Sequence, residues 1–296
     1  MNENRLGQIY AIFAFLFWGA IAPIYFKQVV SVDPVEVLIH RILWSFIILI
    51  PLLFITKQID IFKLLIRDKK KLKYLAFSTL FISINWLVFI WAVANNKIME
   101  TALGYYINPL VNVLLGYLIF SEKMTRNQYI AIFIASLAVL YQVIIIGSIP
   151  LVSLTLAFTF GFYGMIRKKV NVGSIVGLFV ETLILLPFGL IYLYYIISND
   201  TISFLNSTDY ISLMLSLGGV ITIIPLLLFN GAATRMKLTT LGFFQYIGPT
   251  CAFLVAVFIY HEEFNFDKLI SFTLIWIALV IFSLDSFKKR NNIVTN

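Results

Sequence analysis

The sequence predicts an all-α polytopic membrane protein, with ten transmembrane helices arranged as two inverted five-helix repeats. Three observations predict it. Of 296 residues, 61% are hydrophobic and 12% are charged, against about 25% charged in soluble domains. Ten apolar runs use up nearly the whole chain, each close to the roughly 20 residues a spanning helix needs. A run in the first half, ETALGYYINPLVNVLLGYLIFSE from Glu100 to Glu122, is echoed in the second by LTTLGFFQYIGPTCAFLVAVFIYHE from Leu238 to Glu262.

In chain order the runs fall at 7–28, 34–56, 72–94, 100–120, 127–146, 149–166, 175–197, 210–233, 238–260 and 267–287. Their continuous apolarity is unlike barrel strands, which alternate over about ten residues. The first run is too long and too aromatic for a cleaved leader, and no small-x-small cleavage site follows it. It reads as helix 1. The runs leave no room for a soluble catalytic domain. The single cysteine, Cys251, sits within a predicted span. That gives neither a disulfide framework nor a cysteine metal cluster, and no metal or cofactor is expected.

A net charge of +8 could signal nucleic acid, but its distribution points to topology. Lys57, Lys63, Arg67, Lys69, Lys70, Lys71 and Lys73 crowd the link between runs 2 and 3. Every second link thereafter is also basic: Lys123 and Arg126, then Arg167, Lys168 and Lys169, then Arg235 and Lys237. Arg5 and the tail residues Lys288, Lys289 and Arg290 join them, while the opposite links hold only Lys27, Lys97 and Lys268. Basic links mark the cytoplasmic side. Both termini are therefore expected in the cytoplasm of a bacterial-type inner membrane, with lipid rather than nucleic acid as the partner.

The repeat has a defined register. At an offset of 140, Tyr106, Ile107, Pro109, Leu114, Ile119 and Glu122 meet Tyr246, Ile247, Pro249, Leu254, Ile259 and Glu262. Upstream the offset is 138, pairing Thr101, Leu103 and Gly104 with Thr239, Leu241 and Gly242. The predicted halves are 1–147 and 148–296. Because each half has an odd number of spans, the second enters the membrane inverted. Such repeats place a substrate site near the midplane, where the halves meet. Glu122 is expected to face the cytoplasm and Glu262 the outside.

The segments EVLIHRILWS (36–45), NWLVFIWAVANN (85–96), ALGYYINPLVNVLLGYLIFSEKM (102–124), FYGMIRKK (162–169) and TLGFFQYIGPTCAFLVAVFIYHEE (240–263) occur in this order. On them the chain resembles the drug/metabolite transporter superfamily, its ten-helix EamA group, and RarD-type permeases within that group. The resemblance covers essentially the whole chain. It implies two inverted five-helix halves and transport of small metabolites or drugs, with no settled substrate.

Ionisable groups cost about 2.5–3.5 kcal/mol each inside a bilayer, so they are functional candidates by default. The deepest are His40, Arg41 and Glu181, and the repeat sets His40 near Glu181 at an offset of 141. At 1.5 Å per residue, about 10 Å of depth separates Arg41 from Glu181, so no direct bond is expected. Glu36 and Glu100 are the expected partners of Arg41. The residue either snorkels to headgroups or offers a fixed charge to an anionic substrate group or an outer gate. Glu181 is either a structural carboxylate or the candidate for proton coupling, since desolvation raises a carboxyl pKa.

Asn85, Asn108, Asn112, Gln142, Asn230 and Gln245 form a set of amides within the predicted spans. They either bond between helices, worth about 0.6 kcal/mol on average, or orient a polar substrate. Trp86, Tyr105 and Tyr246 are the aromatic candidates beside them. Pro109 and Pro249 are expected to kink their helices, freeing the carbonyls of about Tyr105 and Gln245.

The sequence favours a secondary transporter that moves a small organic molecule by alternating access, with protons as a candidate coupling ion. No GxxxxGK[ST] is present to hold ATP phosphates. A membrane-embedded enzyme is the second reading, but HExxH, GxSxG and paired intramembrane aspartates are all missing. A channel is the third, and the inverted repeat speaks against it. No span marks a dimer face.

Overall fold

The computed structural model describes residues 2–95, 97–147, 150–260 and 266–294. Helix α1 (Glu3–Leu16), a π-helical turn (Phe17–Ile21) and α2 (Ala22–Gln28) make one interrupted rod. It is followed by α3 (Pro34–Ile55), α4 (Ile59–Arg67), α5 (Lys69–Ala94), α6 (Ile98–Phe120) and α7 (Arg126–Ile146). The second half comprises α8 (Leu151–Val170), α9 (Ser174–Ser198), α10 (Asp209–Arg235), α11 (Leu238–Gln245), α12 (Ile247–Phe258) and α13 (Phe266–Val294). Among the described residues there is no strand. Glu262 lies outside them, so its predicted position is not compared.

Every predicted apolar run contains helix, and eight spans are long and apolar enough to cross a membrane. The other two have distinct causes. In α8, one face carries Ser153, Thr159, Tyr163 and Arg167, all buried. A helix wrapped by its neighbours meets little lipid and has no need to be apolar all round. In α13 the apolar stretch is only Leu269–Asp285. The structure also adds α4 within the link read as a plain basic loop. Ile61, Leu64 and Ile66 stay exposed there beside Lys63 and Arg67, the composition of a helix that lies along the headgroup plane.

Local chemistry fixes the helix ends. Asp33 accepts from the backbone N–H groups of Val35 and Glu36 at 2.9 and 3.2 Å, with Pro34 in the first turn of α3. Thr125 and Gln128 form a reciprocal capping box at α7. Asp68 accepts from the N–H groups of Lys70 and Lys71 at 3.1 and 3.0 Å. The Lys71 backbone bond above all holds its carboxyl below the usual range.

Packing runs mainly between elements before and after residue 147. Helix α6 lies on α8 and α11, α5 on α8 and α9, α3 on α9 and α10, α1 on α10, and α7 on α13. Helix α12 rests against the π-helical turn. Two of these contacts are close enough to require glycine. A Cβ on Gly242 would lie 2.6 Å from the Pro109 carbonyl oxygen, and one on Gly19 would run into the Gly248 carbonyl.

The two repeat prolines behave differently. Helix α6 continues through Pro109, whereas the corresponding segment is divided between Gln245 and Ile247. The proline ring at 249 displaces the carbonyl four residues back, that of Gln245. The Tyr246 N–H reaches instead to Phe243 O at 3.2 Å.

Gly242→Ala is expected to lower stability by about 1–3 kcal/mol, the usual range for overpacking, because its neighbour is backbone. Gly248→Ala, whose Cβ would meet nothing closer than 3.8 Å, should be tolerated. Denaturation midpoints of the detergent-purified variants check the pair.

Candidate functional site

The polar groups predicted to form one site fall into separate clusters. In the first, α3 carries Arg41 between the rings of Phe26 and Trp86, with its guanidinium carbon 5.3 and 5.1 Å from their centroids. Its Nε donates to Thr222 Oγ1 at 2.9 Å, and Thr222 in turn donates to Gly218 O at 2.8 Å. The phenols of Tyr25 and Tyr105 are near enough to interact with it electrostatically. Among the described residues Arg41 has no ion pair with a carboxylate.

The expected partners are engaged elsewhere, which corrects that part of the sequence reading. Glu36 accepts from the N–H groups of Ser203, at 2.8 and 3.1 Å, and Phe204, at 3.0 Å. Glu100 takes Lys97 Nζ at 3.1 Å and the Val152 N–H at 3.4 Å. Both carboxylates close helix or loop ends, where an unpaired N–H facing lipid would be costly.

The amides form the second cluster. Gln245 Nε2 donates to Asn108 Oδ1 at 2.6 Å, Asn112 Nδ2 donates to Gln245 Oε1, and Asn108 Nδ2 donates to Ala157 O at 2.7 Å. This chain ties α6 to α11 and α8. Tyr246 is also buried here and donates to Tyr106 O at 3.3 Å. Asn85 stands apart, donating to Leu156 O at 2.8 Å and Thr159 Oγ1 at 2.9 Å.

Glu181 anchors the third cluster. Ser78 Oγ donates to it at 2.5 Å and Tyr163 OH at 3.2 Å, and Asn230 Nδ2 donates to the Tyr163 oxygen at 2.9 Å. Arg167 Nη1 lies 3.6 Å from Glu181 Oε1, and both side chains are sealed from solvent. None of the guanidinium nitrogens has a hydrogen-bond partner among the described residues. The guanidinium fills the space over Gly177, which a Cβ there would occupy. His40 is likewise buried, with Nε2 3.8 Å from Glu36 and the ring 4.7 Å from Phe204.

At the end of the bundle where α6 stops and α11 begins, Glu122 is buried and joins the two helices. It accepts from the N–H groups of Leu238 and Thr239 at 2.8 and 2.9 Å and from Thr239 Oγ1 at 2.8 Å. Lys168 Nζ lies 3.7 Å away. The carboxylate sits at a helix N-terminus, where four N–H groups would otherwise lack partners.

With this geometry established, comparison with known proteins is direct. The model of the EamA-like transporter family matches twice, over residues 5–144 and 147–284. The chain belongs to the EamA-like transporter family. Protein RarD of Salmonella typhi is 46% identical over 285 residues, covering 96% of this chain and 97% of that protein. An uncharacterized transporter of Vibrio cholerae is 45% identical, covering 97% and 95%. The uncharacterized transporter YojE of Bacillus subtilis is 40% identical, covering 97% of each. A protein of known crystal structure shares the fold with a TM-score of 0.70 at 15% identity, covering 94% of this chain and 97% of that one. The chain is thus a RarD-type membrane transporter.

Sequence reasoning missed one functional-looking residue of this EamA-like transporter. Arg167 reads as the first of three cytoplasmic bases, yet it is fully buried while Lys169 is exposed. The available signal is its spacing from Tyr163, one helical turn away on the buried face, and the need of Glu181 for a counter-charge. This pair alters what a substitution reports. Glu181→Gln is expected to cost about 3–5 kcal/mol by leaving a buried guanidinium unpaired. The double variant Glu181→Gln/Arg167→Gln should recover most of that loss. Thermal midpoints of the single and double variants give the coupling.

Proposed function

We propose that this transporter is a secondary carrier that moves a small organic molecule by alternating access. It would use ten spans in two inverted halves, with α8 and α13 completing the eight more apolar ones. The observation that carries the reading is the pairing of helices across the halves. In span numbers, 1 packs with 8 and 3 with 6; 2 packs with 8 and 3 with 7; 4 packs with 6 and 9 with 1. Each pair becomes the other when the halves are exchanged, and the pairs 2–7, 4–9 and 5–10 map onto themselves. Two packed bodies related in this way have two equivalent arrangements, the requirement for opening alternately to either side. The twofold match of the family model supports the same division.

Two clamps supply parts that such motion would make and break. Glu122 ties the first half to α11 at one end, and Glu36 ties it to the loop after α9 at the other. On the charge distribution, the Glu122 end and both termini would face the cytoplasm. Glu181 is the proton-coupling candidate in this scheme, with Arg167 as the charge that would lose its partner on protonation. Weighing against an enzyme reading, the buried carboxylates among the described residues, Glu36, Glu122, Glu181 and Asp285, all accept hydrogen bonds from neighbouring donors.

Counterflow in proteoliposomes is the test. Vesicles preloaded with unlabelled solute should accumulate the same labelled solute transiently, which a channel or an enzyme would not produce. Uptake by the Glu181→Gln/Arg167→Gln variant should lose its dependence on a pH gradient. Wild-type pH dependence in that variant would remove Glu181 from the coupling role.

A further inference from the structure

The two intramembrane arginines differ in a way that points to a ligand. Arg167 is sealed and has its carboxylate. Arg41 is only half-buried, and no described carboxylate balances it. A charge in the bilayer region normally pairs with a protein group or faces a polar cavity. Its Nε is fixed by Thr222, while its Nη groups make no hydrogen bond to a described residue. The guanidinium is therefore anchored at its stem, with both Nη groups left without a described hydrogen-bond partner.

The surroundings narrow the chemistry further. Phe26 and Trp86 flank the guanidinium with apolar, planar faces. Tyr25 is already committed, donating to Met214 O at 3.1 Å. Tyr105 is not: its hydroxyl makes no hydrogen bond to a described residue, and the side chain is 54% exposed. The Tyr105 ring lies 6.5 Å from that of Phe89, one turn along α5 from Trp86, so the guanidinium and this phenol border the same side of α5. A guanidinium fork with a phenol donor in reach suits the two oxygens of a carboxylate, which guanidinium groups hold bidentately. A cation would meet uncompensated positive charge here, and a neutral amide would waste it.

Resting on the carrier reading above, we propose that Arg41 and Tyr105 form the carboxylate subsite for an organic monoanion whose flat apolar body lies against Trp86. Phe26 and Thr222 are positioning residues that hold the guanidinium.

Equilibrium binding to the full chain in detergent, read by tryptophan fluorescence and thermal shift, tests this without any transport step. The probes are benzoate, its neutral analogue benzamide, the cation benzylamine, and chloride. Benzoate should bind and raise the midpoint, and the other three should not. Arg41→Gln should weaken benzoate by roughly tenfold or more, the scale of a lost charged hydrogen bond. Arg41→Lys should retain part of the affinity. Tyr105→Phe, a substitution at an exposed side chain, should weaken benzoate several-fold with an unchanged unliganded midpoint, so the result does not hinge on whether Arg41→Gln folds. Equal binding of benzamide or chloride, or wild-type affinity in Tyr105→Phe and Arg41→Lys together, overturns the proposal. Counterflow of other solutes with no benzoate binding would overturn it while leaving the carrier reading in place. Benzoate binding with no counterflow would uphold the subsite and sink the carrier.

Discussion

Lipid offers no hydrogen bonds, and that single constraint organises this molecule. Wherever the chain breaks out of helix inside or near the bilayer, some side chain must satisfy the exposed backbone donors. Three glutamates do so: Glu36 at the loop following α9, Glu100 at the start of α8, and Glu122 at the start of α11. In each case the carboxylate belongs to the first half and the backbone to the second. The same bonds that satisfy local chemistry therefore join the halves at the ends of the apolar core they share.

The interior follows from the same rule. Many polar side chains that enter the bundle bond to one another: the amides of Asn108, Asn112 and Gln245, and the Ser78–Tyr163–Glu181–Asn230 set. Bonding of this sort fixes geometry, since each partial replacement strands a buried donor or acceptor. Arg41 stands outside both sets: Thr222 anchors its Nε, and no described carboxylate balances its charge.

The helical class and the positions of the spans were legible because twenty-residue apolarity is a strong signal that needs no tertiary information. Charge placement along the links was legible for the same reason. The polar partners were not. Glu36 and Arg41 lie near one another in sequence and suit each other in charge, but the carboxylate went to backbone N–H groups some 167 residues away. Sequence spacing describes one helix at a time, whereas these choices are made between helices. Arg167 was concealed by its neighbours Lys168 and Lys169, which share its charge, although only Lys169 is exposed. The division of α11 from α12 was foreshadowed by Pro249, yet Pro109 in the matching position leaves its helix continuous, so proline alone does not determine where the chain parts.

Gly177 gives the buried pair an evolutionary dimension. The guanidinium of Arg167 takes up the room that any side chain at 177 would need, and Glu181 lies one helical turn further along the same helix. Residues 167, 177 and 181 therefore constrain one another. A side chain gained at 177 could enter only if the Arg167 guanidinium swung aside, drawing it off Glu181. A lineage that fills position 177 must re-seat the buried pair or give it up.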